Sequence, residues 1–349
     1  MKRKALALFL VICIIITCFS MHSCSKKKTQ FSKTSFDYFD TFTTITGYTE
    51  NQEQFNEIAA DILSELGEYH KLFNIYKKFD GINNLYSVNQ LVNGEHQAVT
   101  VDRKIIDMLL YSKEMYEKTD GKINVAMGSV LSIWHEHREI GMNDPSAATL
   151  PDMSKLEEAS KHTNINDVII DEENSTVTLT DPKMRLDVGA IAKGYAVEMT
   201  ALMLEEQNIT GFILNVGGNV RSVGVKGDGN AWKVGIENPM DDAEKPYLAQ
   251  LELSDASVVT SGSYQRYYVV DGKKYHHIID PVTLMPAESF LSVSIKTKSS
   301  AQGDALSTAL FCMTLDEGMA LIESLPDTEA MWVMPDGEQH FSTGFPKGN

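Results

Sequence analysis

The stretch YQRYYVVDGKKYHHIID, residues 264–280, decides the fold. Aromatic and β-branched residues flank Asp271-Gly272, and Asp-Gly suits a two-residue turn whose central positions need φ > 0. It is the clearest β-hairpin in the chain, and a hairpin builds antiparallel sheet. Upstream, GFILNVGG (211–218) reads as a buried strand ending in glycines, and short strands follow near 220–226, 231–237 and 248–254. Downstream, a strand near 291–297 leads into the helix AQGDALSTALF (301–311), and MWVMPDGEQHF (331–341) gives a last hairpin.

Further out, Phe55, Ile58, Ala59, Ile62, Leu66 and Tyr69 recur at helical spacing and predict an amphipathic helix over 52–72. VDRKIIDMLLYSKEMYEKTDG (101–121) predicts a second, closed by Gly121. A third follows the glycine turn of LDVGAIAKGYA, from about Ala192 to Gln207. FDYFDTFTTITGY (36–48) has strand composition, DVIIDEENSTVTLT (167–180) reads as a hairpin, and 141–153, with Pro145 and Pro151, as a loop. Strands and helices mix without strict alternation, so the fold class is α+β, with mixed and antiparallel sheets packed against helices.

The chain opens with Lys2, Arg3 and Lys4 and an apolar run from Ala5 to Phe19, too short for a comfortable membrane span. Small Ser23 then precedes Cys24. The expectation is a lipoprotein signal peptide over 1–23, lipidation at Cys24, a polar and basic tether over 24–35, and a folded body from 36 to 349. That makes the body lipid-anchored to the cell membrane on its extracytoplasmic side; an uncleaved N-terminal anchor, the alternative reading, places it on the same side. Cys13 and Cys18 lie in the signal and Cys24 carries lipid, so Cys312 alone remains in the body. An internal disulfide and a cysteine metal cluster are thereby excluded. Cleavage removes three of the 31 basic residues and none of the 48 acidic ones, so the net charge falls from −17 to about −20. Such a surface repels phosphate backbones and excludes nucleic acid as a partner. An anionic ligand then needs a metal or a local cluster of donors.

Four stretches can carry chemistry. In LDVGAIAKGYA (186–196), Gly189 permits a tight turn, the amides opening the next helix form an anion site, and Lys193 adds positive charge. The same pattern also describes a glycine turn with a surface lysine. NVGGN (215–219) ends a strand in glycines, which suits either a turn or a close ligand. His276 and His277 are neighbours on a strand, so at most one faces a given site. In AQGDALSTALF, Asp304 and Thr308 stand four apart and share one helix face. A carboxylate in an apolar helix is costly unless something compensates it. Two hard oxygen donors suit Mg²⁺, which commonly completes its shell with substrate phosphates.

Taken in order, DVGAIAKGYA, LNVGGN, TSGSYQRY with YHHIIDP, and GDALSTALF resemble the ApbE-type FAD:protein FMN transferases. The resemblance runs from about residue 36 to 343. It implies a single ApbE-like, T-fold-like domain that binds FAD and Mg²⁺, with Mn²⁺ as a possible substitute. It implies transfer of the FMN half to a Thr or Ser hydroxyl of a target protein, with release of AMP. By the same resemblance Asp304 and Thr308 match the side-chain metal ligands, and Ala190 the backbone-carbonyl ligand. Asp187, Lys193, Lys122, Ile123, Asn124 and Ile278 match FAD-contacting positions, Phe39 and Tyr76 flank the flavin, and His277 matches the catalytic base. Implied partners are exported flavoproteins, namely RNF- or NQR-type subunits or extracellular flavin reductases.

The chain departs from the family pattern at Phe39-Asp40-Thr41, at Asn124 and Ser129 in INVAMGS, at Asn219, and in DPVTLMP. None of these touches the Asp304–Thr308 pair. A hydrolase using the same site, giving FMN and AMP, is the nearest alternative function. A non-catalytic FAD-binding lipoprotein and a flavin electron carrier are the others.

Overall fold

The computed structural model describes residues 28–240 and 244–346; the expected signal peptide and Cys24 lie outside them. The first strands are β1 (Thr29–Ser35), β2 (Thr43–Thr49), β3 (Leu91–Val92), β4 (Glu95–His96) and β5 (Val99–Thr100). Next come β6 (Val168–Asp171), β7 (Thr176–Leu179), β8 (Phe212–Val216), β9 (Asn219–Val223), β10 (Trp232–Glu237) and β11 (Tyr247–Leu253). The last are β12 (Ser257–Gly262), β13 (Tyr267–Val270), β14 (Lys273–His276), β15 (Ser292–Thr297), β16 (Glu329–Val333) and β17 (Gln339–Phe341). The helices are α1 (Gln52–Leu72), α2 (Leu85–Val88), α3 (Arg103–Lys118), α4 (Gly128–Asn143), α5 (Met153–Ser160), α6 (Ala192–Glu206), α7 (Ser300–Phe311) and α8 (Leu315–Ser324).

An eight-stranded sheet in the order β1-β2-β8-β9-β12-β15-β16-β17 forms the centre, and each of its ladders is antiparallel. Alternation along the strands divides its two faces. Ala330 and Trp332 of β16 join Val293, Ile295, Ala305 and Leu306 in the main core beneath the helices. Met331 and Val333, one residue out of step, pack with Trp232, Leu251 and Leu253 of the β10–β11 hairpin. The sheet is thus covered on both faces, and all five residues of β9 are buried. A third cluster joins α4 to the β13–β14 hairpin through Val130, Trp134, Tyr268 and Tyr275. The α+β class holds, and among the described residues no helix is long and apolar enough to cross a membrane.

Three expectations need correction. The tether over 24–35 becomes strand β1 from Thr29 on, paired with β2 over all seven of its residues. As an edge strand with mostly exposed side chains it has no apolar alternation to betray it. The strand expected from Phe36 starts only at Thr43, because Phe39 and Asp40 take positive φ values of 56° and 50°. The loop expected over 141–153 begins inside α4, a helix the hydrophobic pattern did not reveal.

Candidate active site

Helices α6 and α7 cross so closely that a Cβ on Gly194 would overlap both Asp304 Cβ and Ser300 O. Only glycine fits there, and the approach brings the opening turn of α6 against the second turn of α7. Asp304 is 3% exposed. Its Oδ2 accepts the Gly194 amide N–H at 2.7 Å, and Lys193 Nζ stands 3.4 Å from Oδ1. The α7 N-cap is Ser299, so Asp304 does not cap its own helix. It serves the N-terminus of α6, where the helix dipole favours an anion. Thr308, one turn on, is held by β12: Ser261 Oγ lies 3.4 Å from its hydroxyl and 2.8 Å from that of Ser307.

These residues line one end of a cavity of about 320 Å³. Ala190 and Asp187 stand beside them, in the turn that leads into α6. Asp187 Oδ1 accepts the Gly189 N–H at 2.9 Å, and burial raises its pKa despite nearby His135, Arg138 and Arg185. Lys122, Ile123 and Asn124 form another part of the lining. Asn124 is structural as well, since it donates to Thr163 O at 2.8 Å and accepts from Ala126 N at 2.9 Å. Lys122 Nζ is 3.7 Å from Asp280, whose Oδ1 in turn accepts the Val282 N–H.

The two histidines separate as strand alternation requires. His276 is buried, with Nε2 2.6 Å from Ala287 O while Nδ1 accepts the Ile278 N–H. Because the carbonyl can only accept, the proton sits on Nε2, and this is a satisfied core histidine. His277 lines the cavity, and its Nδ1 is 3.3 Å from Arg266 O. By the same logic Nδ1 carries the proton and Nε2 is an open acceptor. Burial, then the charges of Arg266 and Arg138, push its pKa down to about 3, so it is neutral at pH 7.

Of the expected site residues, Phe39 alone does not line the cavity; Asp40 and Thr41 do. The Phe39 amide donates to His70 Nδ1 at 3.1 Å, and its ring meets the His70 ring edge-on. Tyr76 stacks on His135 at 4.8 Å and is 59% exposed, at the outer part of the lining. Helix α4 supplies what sequence reasoning missed. Leu131, Trp134, His135 and Arg138 all line the cavity. Their i, i+3, i+4, i+7 spacing is the signal that could have found them. Arg266 lies in a stretch that was singled out, yet was assigned no role. Among the described residues no carboxylate comes within ion-pair distance of Arg138 or Arg266; their polar contacts are His135 Nδ1 and Asp40 O.

The donors at Asp304 fit a hard divalent cation: a carboxylate with one loosely engaged oxygen and, one turn on, a hydroxyl. Among the described residues no group of three or more His, Cys, Asp or Glu side chains gathers. A cation held there would take further ligands from elsewhere, and phosphate oxygens would suit both it and the adjacent cationic groups.

Known proteins resemble this chain over most of its length. A family model described as the ApbE family matches residues 39–332. A FAD:protein FMN transferase of Klebsiella pneumoniae (strain 342) is 32% identical over 272 residues, covering 75% of this chain and 81% of its own. The FAD:protein FMN transferase of Treponema pallidum (strain Nichols) is 35% identical over 260 residues, 70% of each chain. The crystal structure of the ApbE protein from Thermotoga maritima superposes with a TM-score of 0.78 at 28% identity, covering 90% of this chain and 97% of that one. With a buried carboxylate at a helix crossing, a neutral histidine in the lining of the same cavity and a family match over most of its length, this chain belongs to the ApbE family.

Proposed function

We propose that the chain transfers FMN from FAD to a threonine or serine hydroxyl of a target protein, through a phosphoester bond, and releases AMP. The observation that carries this is a single cavity holding Asp304 and Thr308, Lys193 and the α6 N-terminus at one place, and neutral His277 at another. The names of the related enzymes support it. Asp304, Thr308 and the Ala190 carbonyl would hold Mg²⁺, or Mn²⁺ in its place. A cation held there would supply positive charge against the pyrophosphate and the developing charge of the AMP leaving group.

The protein's own groups do the rest. Lys193, at the positive end of α6, faces the anion, where a preorganised charge costs no reorganisation during reaction. Nε2 of His277 accepts the proton of the acceptor hydroxyl. The hydroxyl oxygen bonds to the phosphorus of the FMN half as the bond to the AMP oxygen breaks. Arg138 and Arg266 add positive charge in an otherwise acidic protein and hold the FAD on its other side.

The acceptors in this reading are exported flavoproteins, such as RNF- or NQR-type subunits or extracellular flavin reductases. The lipid on Cys24 holds the enzyme at the membrane, facing away from the cytoplasm. The basic leader and Ser23-Cys24 support that placement. Incubation with FAD and Mg²⁺ plus an acceptor domain, followed by chromatography, tests the chemistry. AMP should form and EDTA should stop it; FAD left intact with either Mg²⁺ or Mn²⁺ would refute the proposal.

A further inference from the structure

Resting on the cation site just proposed, we infer that Glu198 is a positioning residue for it, acting by fixing the register of α6 against α7. Glu198 lies one turn beyond Gly194 on α6 and is 7% exposed, deep below the cavity lining. Its Oε2 accepts the amide N–H of Ser300, the first residue of α7, at 2.6 Å. Ser300 is itself fully buried. The two helices thus exchange carboxylates. Asp304 of α7 takes an amide of the first turn of α6, and Glu198 of α6 takes the first amide of α7.

Each contact satisfies a donor that a helix start leaves without an intrahelical partner, and each places negative charge at a positive helix end. Neither helix can slide along the other without breaking both bonds. Between them sits Gly194, whose missing side chain lets Asp304 and Ser300 approach.

Glu198 is held in turn. Arg221 of β9 donates through Nε to Glu198 at 3.3 Å and through Nη2 to Glu205 at 2.8 Å. This buried guanidinium anchors the carboxylate to the central sheet. Two residues on one cation also provide an internal control. Glu205 shares Arg221 but, among the described residues, bonds to nothing in α7, so its loss weakens the ion network without releasing the Ser300 amide.

The test is Mn²⁺ binding to the folded full chain with FAD present, followed by the electron paramagnetic resonance of free Mn²⁺. Glu198→Ala should weaken Mn²⁺ binding by about tenfold or more, the scale seen when groups behind a metal ligand are removed. Glu205→Gln should leave it within about twofold, even where both variants lower the melting temperature. If Glu198→Ala does not fold, Glu198→Gln replaces it: its amide oxygen still accepts from Ser300 without the charge, and a loss of about threefold is expected. Unchanged affinity in the Glu198 variant, or equal losses in both, would overturn the inference. No Mn²⁺ binding by the wild-type chain would instead overturn the cation reading, and this inference with it.

Discussion

The two walls of the cavity are built on different principles. One is the α6–α7 crossing, where Asp304 is almost wholly buried and both helix starts are satisfied by carboxylates from the opposite helix. The other joins α4, Tyr76 and the segment after β14, and its rim reaches solvent, with Tyr76 more than half exposed. The first wall is fixed by two cross-helix hydrogen bonds and carries Asp304 and Lys193. The second presents aromatic faces, two guanidiniums that among the described residues have no carboxylate within ion-pair distance, and an acceptor nitrogen. A transferase needs that division: phosphates must be held in one geometry, while a macromolecular acceptor must enter from outside.

Changes to the first wall should therefore cost most. Asp304→Asn should lower FMN transfer by about a thousandfold, since it removes the charge that pairs with a cation and with Lys193. AMP release measured under saturating FAD checks this. Gly194→Ala comes next, because its Cβ would overlap Asp304 and Ser300. It should destabilise the fold by about 1–3 kcal/mol in a denaturant titration and weaken cation binding in parallel. A Gly194→Ala enzyme with wild-type stability and activity would show that the crossing is not tight.

Changes to the second wall should be smaller and more selective. His277→Asn should reduce kcat by about a hundredfold with FAD affinity retained, the signature of a lost proton acceptor. The pH dependence follows from its depressed pKa. Between about 3 and the ordinary histidine value near 6.5, unfolded His277 binds a proton that the native residue does not. Stability contributed by this residue is thus complete above about pH 6.5 and declines as the pH falls through that window. The profile of His277→Asn should be flatter there, while wild-type turnover should show no loss from His277 protonation between pH 8 and 6. Arg138→Ala should raise KM for FAD by about tenfold with kcat nearly intact; a comparable fall in kcat would move Arg138 into the chemical step.

The walls also differ in how legible they were. Asp304 and Thr308 announced themselves, because an acid within AQGDALSTALF contradicts its apolar surroundings and needs an explanation. Helix α1 was readable because it buries one face and burial writes periodicity into sequence, whereas β15, buried at five of its six positions, and the Asp271-Gly272 hairpin were legible from strand composition and turn chemistry. Helix α4 buries only a few side chains, among them Val130 and Trp134, and starts without a side-chain cap, so SVLSIWHEHREIG shows neither a clear stripe nor a start signal. Arg138 and His135 were passed over for that reason, although their spacing with Leu131 and Trp134 marks one helix face. Strand β1 was lost because an edge strand needs no apolar face. Glu198 and Arg221 could not be paired at all, since their contact joins distant parts of the chain and depends on how α6 lies on β9.

The most direct test of the account is mass spectrometry of an exported acceptor domain after incubation with the chain, FAD and MgCl₂. The account predicts that a threonine or serine of the acceptor gains FMN, with AMP released one for one, and that Asp304→Asn abolishes the label. Free FMN and AMP with no labelled protein, across several acceptor domains, would contradict it and make the cavity that of a hydrolase.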